Sequence, residues 1–210
     1  MPDPGQIAFD EAQITAAGGT PNSVTTALLA KHGWPTPNIA TGVTPGQAGL
    51  DGGCPHGPNL SIATNFRNRV DSMIGKIDQN IKSDTLTGRY FFGDSDQSFP
   101  FAQLAGGLLP GFNTVTPTRV QLVAISYVKA VNTSQVNEIR LGWNRFAEGF
   151  FPEDQSFNPS SIGLVTGTGS YEGGLPAINV SGFSQIGATN GVPRNRVDSN
   201  WHFVDDYSWK

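Results

Sequence analysis

A chain of 210 residues can bury a sizeable core as one β-rich domain or two small ones, yet only 14% of its residues are charged, while Gly numbers 26 and Pro 15. That balance points away from a helix-rich enzyme and towards strands joined by long irregular loops. A net charge of -4, spread without long runs of one sign, leaves no basic stripe for a phosphate backbone and no reason to expect nucleic acid as a partner.

The first 67 residues are mostly loop, broken by Pro and Gly from Pro2 to Pro58. One short helix stands out at about 22–32: Asn22 or Ser23 can cap it, Val24, Ala27, Leu28 and Ala30 or Lys31 supply roughly helical spacing, and Gly33 before Trp34 and Pro35 stops it. A loop of this length inside a compact domain is generally functional or disordered. The start, MPDPGQIAFDEAQ, has neither the basic nor the apolar region of a signal peptide, so an export signal is expected upstream of Met1. Cys54 is the only cysteine, which excludes an internal disulfide. Cys54-Pro55-His56 makes half a metal site at most, because His32 and His202 are isolated, and no metal or cofactor is expected. No apolar run of about 18 residues offers a transmembrane helix.

From about Asn68 the pattern changes to period two, the signature of a strand with one oily and one wet face. Over 68–81, Met73, Gly75, Ile77 and Ile81 oppose Ser72, Lys76, Asp78 and Asn80, with Ile74 falling on the polar side. Lys82, Ser83 and Asp84 make a tight turn, and 85–94 returns with Leu86, Tyr90 and Phe92 opposing Thr85, Thr87 and Arg89, which completes a hairpin. A long connection runs from Ser95 to Thr118; Asp94, Ser95 and Asp96 at its start lack the rest of a calcium loop and read as a solvated loop start. The strand at 119–131 is apolar on both faces, so periodicity does not assign its sides. After a short turn at Asn132 to Gln135 comes the clearest alternation in the chain, at 136–149, where Ile139, Leu141 and Trp143 oppose Glu138, Arg140, Gly142 and Asn144. A second long connection reaches roughly Asp198, with a short strand expected at Ile178 to Phe183. The glycines at 167, 169, 173 and 174 form no phosphate-binding fingerprint. The last strand, 200–210, carries Trp201, Phe203, Tyr207 and Trp209 on one face.

Short and long connections therefore alternate as the chain reverses, which gathers the tight turns at one end of the sheet and the long loops at the other. Outer-membrane barrels have this asymmetry, with strands of ~9–11 residues across the bilayer. An Arg facing lipid near midplane costs about 2–4 kcal/mol, so in a barrel Lys76, Asp78, Arg89, Glu138, Arg140 and Asn144 face the lumen. A soluble, secreted β-sandwich that binds carbohydrate or protein through its loops predicts the same alternation, and on pattern alone stands level with the barrel or slightly ahead of it, because soluble β-proteins are commoner. A third possibility, a hydrolase, has weak support: Ser, His and Asp occur, but neither GxSxG nor another activated-nucleophile motif gathers them.

IGKIDQNI and LTGRYFFGDS, then RVQLVAISYVKAVNTSQVNEIRLGWNRF and, after a long loop, NWHFVDDYSWK resemble the barrel of Oar-like TonB-dependent receptors, outer-membrane proteins of Gram-negative bacteria. The resemblance covers most of the chain, the helix near Thr25 to Lys31 included, and is most specific in VNEIRLGWNRF and DDYSWK. It implies a large barrel of about 22 strands with a plug inside. It further implies uptake of a bulky ligand powered through a TonB complex, with no bond made or broken. The sequence shows no plug, no TonB box and no closing aromatic strand, and five strands fall short of the roughly eight of the smallest barrel. The expectation is thus an all-β antiparallel meander forming part of an outer-membrane barrel. It divides into a loop region at 1–67 and a partial barrel at 68–210, in contact with outer-membrane lipid and with TonB reached through regions outside this chain. The ligand, small or oligomeric, is left unnamed.

Overall fold

The computed structural model describes residues 4–31, 34–39, 59–100, 108–166, 173–180, 183–188 and 191–210. Five strands form one antiparallel meander in the order of the chain: β1 (Arg67–Ile81), β2 (Asp84–Phe99), β3 (Thr114–Asn132), β4 (Gln135–Pro152) and β5 (Arg194–Trp209). They make a single sheet, so among the described residues no second β-layer faces it as in a sandwich. Each tight turn has a local cause. Lys82 adopts a left-handed φ of 58° between β1 and β2. Between β3 and β4 the Asn132 side chain accepts from the Ser134 N–H at 2.8 Å, an Asx turn, and its amide donates to Gln135 at 2.8 Å.

All five strands run further than the alternation alone predicts, chiefly at the long-loop end. Two acids explain part of this: Asp94 and Asp96 do not open a solvated loop but stay in the β2 ladder, held by Arg119 of β3 and Arg67 of β1, each at 2.9 Å. The long connections accordingly shrink to 100–113 and 153–193.

Proximity divides the chain into two compact units. One contains most of the strands: Arg67–Gln97, Thr116–Phe150 and Arg194–Lys210. The other gathers Met1–Phe66, Ser98–Val115 and Phe151–Pro193, so the three loop-rich stretches fold together. Its helices are α1 (Pro4–Ala16) and α2 (Ser23–Lys31). Only the second is legible in the sequence. Pro4 reads as a breaker, but a proline in the first turn of a helix loses no hydrogen bond. The end of α1 is a Schellman motif: Gly18 takes φ 80°, and the Gly19 N–H bonds to the Ile14 carbonyl at 2.8 Å. Asn22 caps α2, its side chain accepting from the Val24 and Thr25 N–H groups at 2.9 and 3.2 Å. The expected stop at Gly33 lies outside the described residues, as do Cys54, His56, Gly167 and Gly169.

The core of this loop-rich unit joins all three stretches: Leu28 from α2, Leu109 and Phe112 from the β2–β3 connection, and Ile162, Leu175 and Ile186 from the β4–β5 connection. Ile162 sits in a 3-10 turn (Pro159–Ile162). The Trp34 indole N–H donates to the Ser184 carbonyl at 2.7 Å, and Asp154 accepts from the Leu175 N–H at 2.8 Å. In place of the strand expected at Ile178 to Phe183, Ile178 makes one isolated bridge, to Ile186; Ser181 and Gly182 lie outside the described residues.

Candidate functional site

Cross-strand side-chain bonds label the faces of the sheet. Thr87 donates to Asp78 at 2.7 Å, Thr85 to Asn80 at 3.2 Å, Ser126 to Glu138 at 2.9 Å and Asn200 to Asn144 at 3.0 Å. Since alternate residues share a face, these contacts join the even positions of β1, β4 and β5 and of the upper part of β3 to the odd positions of β2. The six residues singled out from the sequence, Lys76, Asp78, Arg89, Glu138, Arg140 and Asn144, all fall on this polar face. The opposite face is labelled by Tyr127 donating to Asp84 at 2.6 Å, Gln121 donating to Tyr90 at 3.0 Å, and the Trp143 and Trp201 rings at 6.2 Å. That settles β3, whose sides the sequence left open: Leu122, Ala124 and Ser126 go with the charged residues, and Val123, Ile125 and Tyr127 with the tryptophans.

On the polar face the charges are arranged in short chains. Lys76 pairs with Asp78 along β1. Arg140 stands between two acids, Glu138 on its own strand at 3.3 Å and Asp206 on β5; Glu138 takes the Ser126 hydroxyl as well. The β4–β5 register explains the reach, since Arg140 lies opposite Val204 and Asp206 is the next same-face residue along β5. Arg196 pairs with Asp198 nearer the long-loop end. These partners are all partly exposed, so water screens each pair and it acts mainly to fix side-chain direction.

Four of the six, Arg89, Glu138, Arg140 and Asn144, line a trough of about 480 Å³, whose floor includes Leu122, Ala124 and Gly142. Lys76 and Asp78 stand outside it. Gly142 lies opposite His202, whose side chain stands in contact with the place a β-carbon at 142 would take. Among the described residues Arg89 has no ion-pair partner. His202, Asp206 and Ser126 were not singled out from the sequence. Alternation from the aromatic row of β5 places His202 and Asp206 opposite Trp201 and Tyr207; Ser126 carries no such signal, because β3 is apolar on both sides. The trough thus offers a free guanidinium, a bracketed one, an imidazole and an amide over an apolar floor. That suits a ligand or protein segment of mixed polarity.

No curated protein and no solved structure matches the chain. The family described as outer membrane beta barrel domain matches residues 2–210. An antiparallel meander with one polar and one apolar face fits that family, and the family match places the protein in the outer membrane. This chain belongs to the outer membrane beta barrel domain family.

Proposed function

We propose that the chain is a sector of a TonB-dependent receptor that captures a ligand outside the cell and passes it through the outer membrane without making or breaking a bond. The observation that carries this reading is the shared core of the loop-rich unit. Three stretches far apart in sequence bury Leu28, Phe112, Ile162, Leu175 and Ile186 together, giving a fixed surface where separate loops would give only mobile excursions. The polar face, with Arg89 and the Glu138–Arg140–Asp206 chain, lines the lumen on this reading. The resemblance to Oar-like receptors adds the energy source, a TonB complex reached through other parts of the receptor. Strands β1 and β5 have no further partner among the described residues. As the smallest bacterial barrels have about eight strands, additional strands complete the wall.

Uptake tests the proposal. Cells with and without the gene are incubated with labelled pools of ferric siderophores, oligosaccharides or peptides. Accumulation of one pool that requires both the gene and TonB is expected. Accumulation that persists when TonB is removed defeats the receptor reading in favour of a passive pore, and surface retention without entry defeats it in favour of adhesion.

A further inference from the structure

The apolar face of the sheet is not apolar along its whole height. Near the tight turns it carries Met73 and Ile77 on β1, Leu86 and Phe92 on β2, Val123 and Ile125 on β3, Leu141 and Trp143 on β4, and Phe203 and Trp209 on β5. Exposure here is high, 75% at Ile77, 81% at Trp201 and 76% at Trp209, so no described residue covers the surface. Towards the long-loop end the same face turns charged: Arg69 pairs with Asp71, Arg67 with Asp96 and Arg119 with Asp94, while Arg145 reaches Gln121 at 3.5 Å.

The change of character comes at a consistent distance from the turns. The apolar stretches are 73–81, 84–92, 123–131, 135–143 and 201–209. Each is about nine residues, the length of tilted strand that crosses a bilayer. The upper limit is also stepped. Gln121 lies beside both Tyr90 and Arg145, and Arg145 pairs in register with Ser199. At that level β3, β4 and β5 have already become polar, while β2 stays apolar up to Phe92. A horizontal plane drawn across strands tilted at ~35–45° to the barrel axis produces steps of this kind, and the limit here steps once, between β2 and β3. Aromatic rings stand at both limits, Tyr90, Trp143 and Trp201 above and Tyr127, Tyr207 and Trp209 below, as in the girdles of membrane barrels.

We infer that this face meets lipid acyl chains only over those five stretches, and that the guanidiniums of Arg145, Arg119, Arg69 and Arg67 mark the headgroup layer and the water beyond it. Four arginines inside the hydrocarbon would cost about 2–4 kcal/mol apiece near midplane; placed above it they cost little and keep their carboxylate and amide partners. Residues 67–72, 93–99, 114–122, 144–152 and 194–200 then continue the wall out of the membrane, by roughly 20–30 Å along the strand at ~3.3 Å per residue. Two acids fall on this face within the band: Asp84 at its turn-side edge, which accepts from the Tyr127 hydroxyl at 2.6 Å, and Asp205, opposite Ile139. Acids are tolerated on a lipid face better than Arg or Lys.

The inference rests on the outer-membrane location, and depth-resolved quenching tests it. In the full-length protein with Cys54→Ser, single cysteines at Ile77, Leu141, Arg69 or Arg119 are labelled with bimane, and the folded protein is placed in vesicles carrying nitroxide on the acyl chain. Arg140→Cys, next to Leu141 on β4 but on the polar face, is the control for membrane embedding itself. Several-fold stronger quenching at Ile77 and Leu141 than at Arg69, Arg119 and Arg140 is expected. Equal quenching at Ile77, Leu141, Arg69 and Arg119, with Arg140 spared, overturns the depth assignment and leaves the barrel intact. Equal quenching at Leu141 and Arg140 overturns the assignment of the two faces. Quenching by brominated lipid of the native tryptophans, read without substitution on that face, must agree.

Discussion

Gly142 stands directly across the β4–β5 ladder from His202, and a β-carbon built on it would lie 3.4 Å from the β-carbon of that histidine. This is ordinary contact, so a methyl group fits and anything longer meets the imidazole. Gly142→Ala is expected to raise stability by up to about 0.5–1 kcal/mol, since glycine loses the most conformational freedom in a strand. Gly142→Leu is expected to displace His202 and narrow the trough. Urea unfolding followed by tryptophan fluorescence checks the first, and single-channel conductance or ligand retention checks the second.

Arg140 between Glu138 and Asp206 predicts a small coupling rather than a large one. In a double-mutant cycle of Arg140→Gln with Asp206→Asn, the interaction energy is expected at about 0.2–1 kcal/mol and lower in high salt, because all three side chains meet solvent. A value above about 2 kcal/mol would mean that the pair is shielded from water by something outside these 210 residues.

The two faces respond differently to charge. Leu141→Arg, in the apolar band, is expected to cost about 2–4 kcal/mol of folding into lipid, while Asn144→Arg, on the polar face, is expected to cost under about 1 kcal/mol. Folding titrations in vesicles, scored by heat-modifiable migration, separate them. Similar costs at both positions contradict the face assignment.

In the loop-rich unit Ile186 is fully buried and Leu175 nearly so. Ile186→Ala is expected to destabilise that unit by about 2–5 kcal/mol, opening it to protease while the strands stay protected. Gly187→Ala goes further for a different reason: φ is 81°, and its β-carbon would fall 2.0 Å from the Pro176 carbonyl oxygen. Limited proteolysis with mass detection distinguishes local opening from global unfolding.

The strands and their polar faces were legible because alternation is a local property: Glu138, Arg140 and Asn144 announce one side, Ile139, Leu141 and Trp143 the other. What the sequence concealed is where neighbours decide. Asp94 and Asp96 look like loop residues until Arg119 and Arg67 stand beside them. β3 is apolar throughout, and only Ser126 meeting Glu138 and Gln121 meeting Tyr90 tell its faces apart. The loop core escaped notice for the same reason, since Leu28, Phe112 and Ile186 share no local period and meet only through the fold. Pro4 hid α1 because the residue that breaks a helix in its middle is harmless at its start.

A meander of five strands has a directional consequence. Because every neighbour is antiparallel, β1 and β5 point the same way, and an odd count leaves two like-directed margins. Joining those margins to each other, or placing copies of this sheet side by side in a ring, would make a parallel seam. A wholly antiparallel cylinder that contains this sheet must therefore be completed by an odd number of other strands.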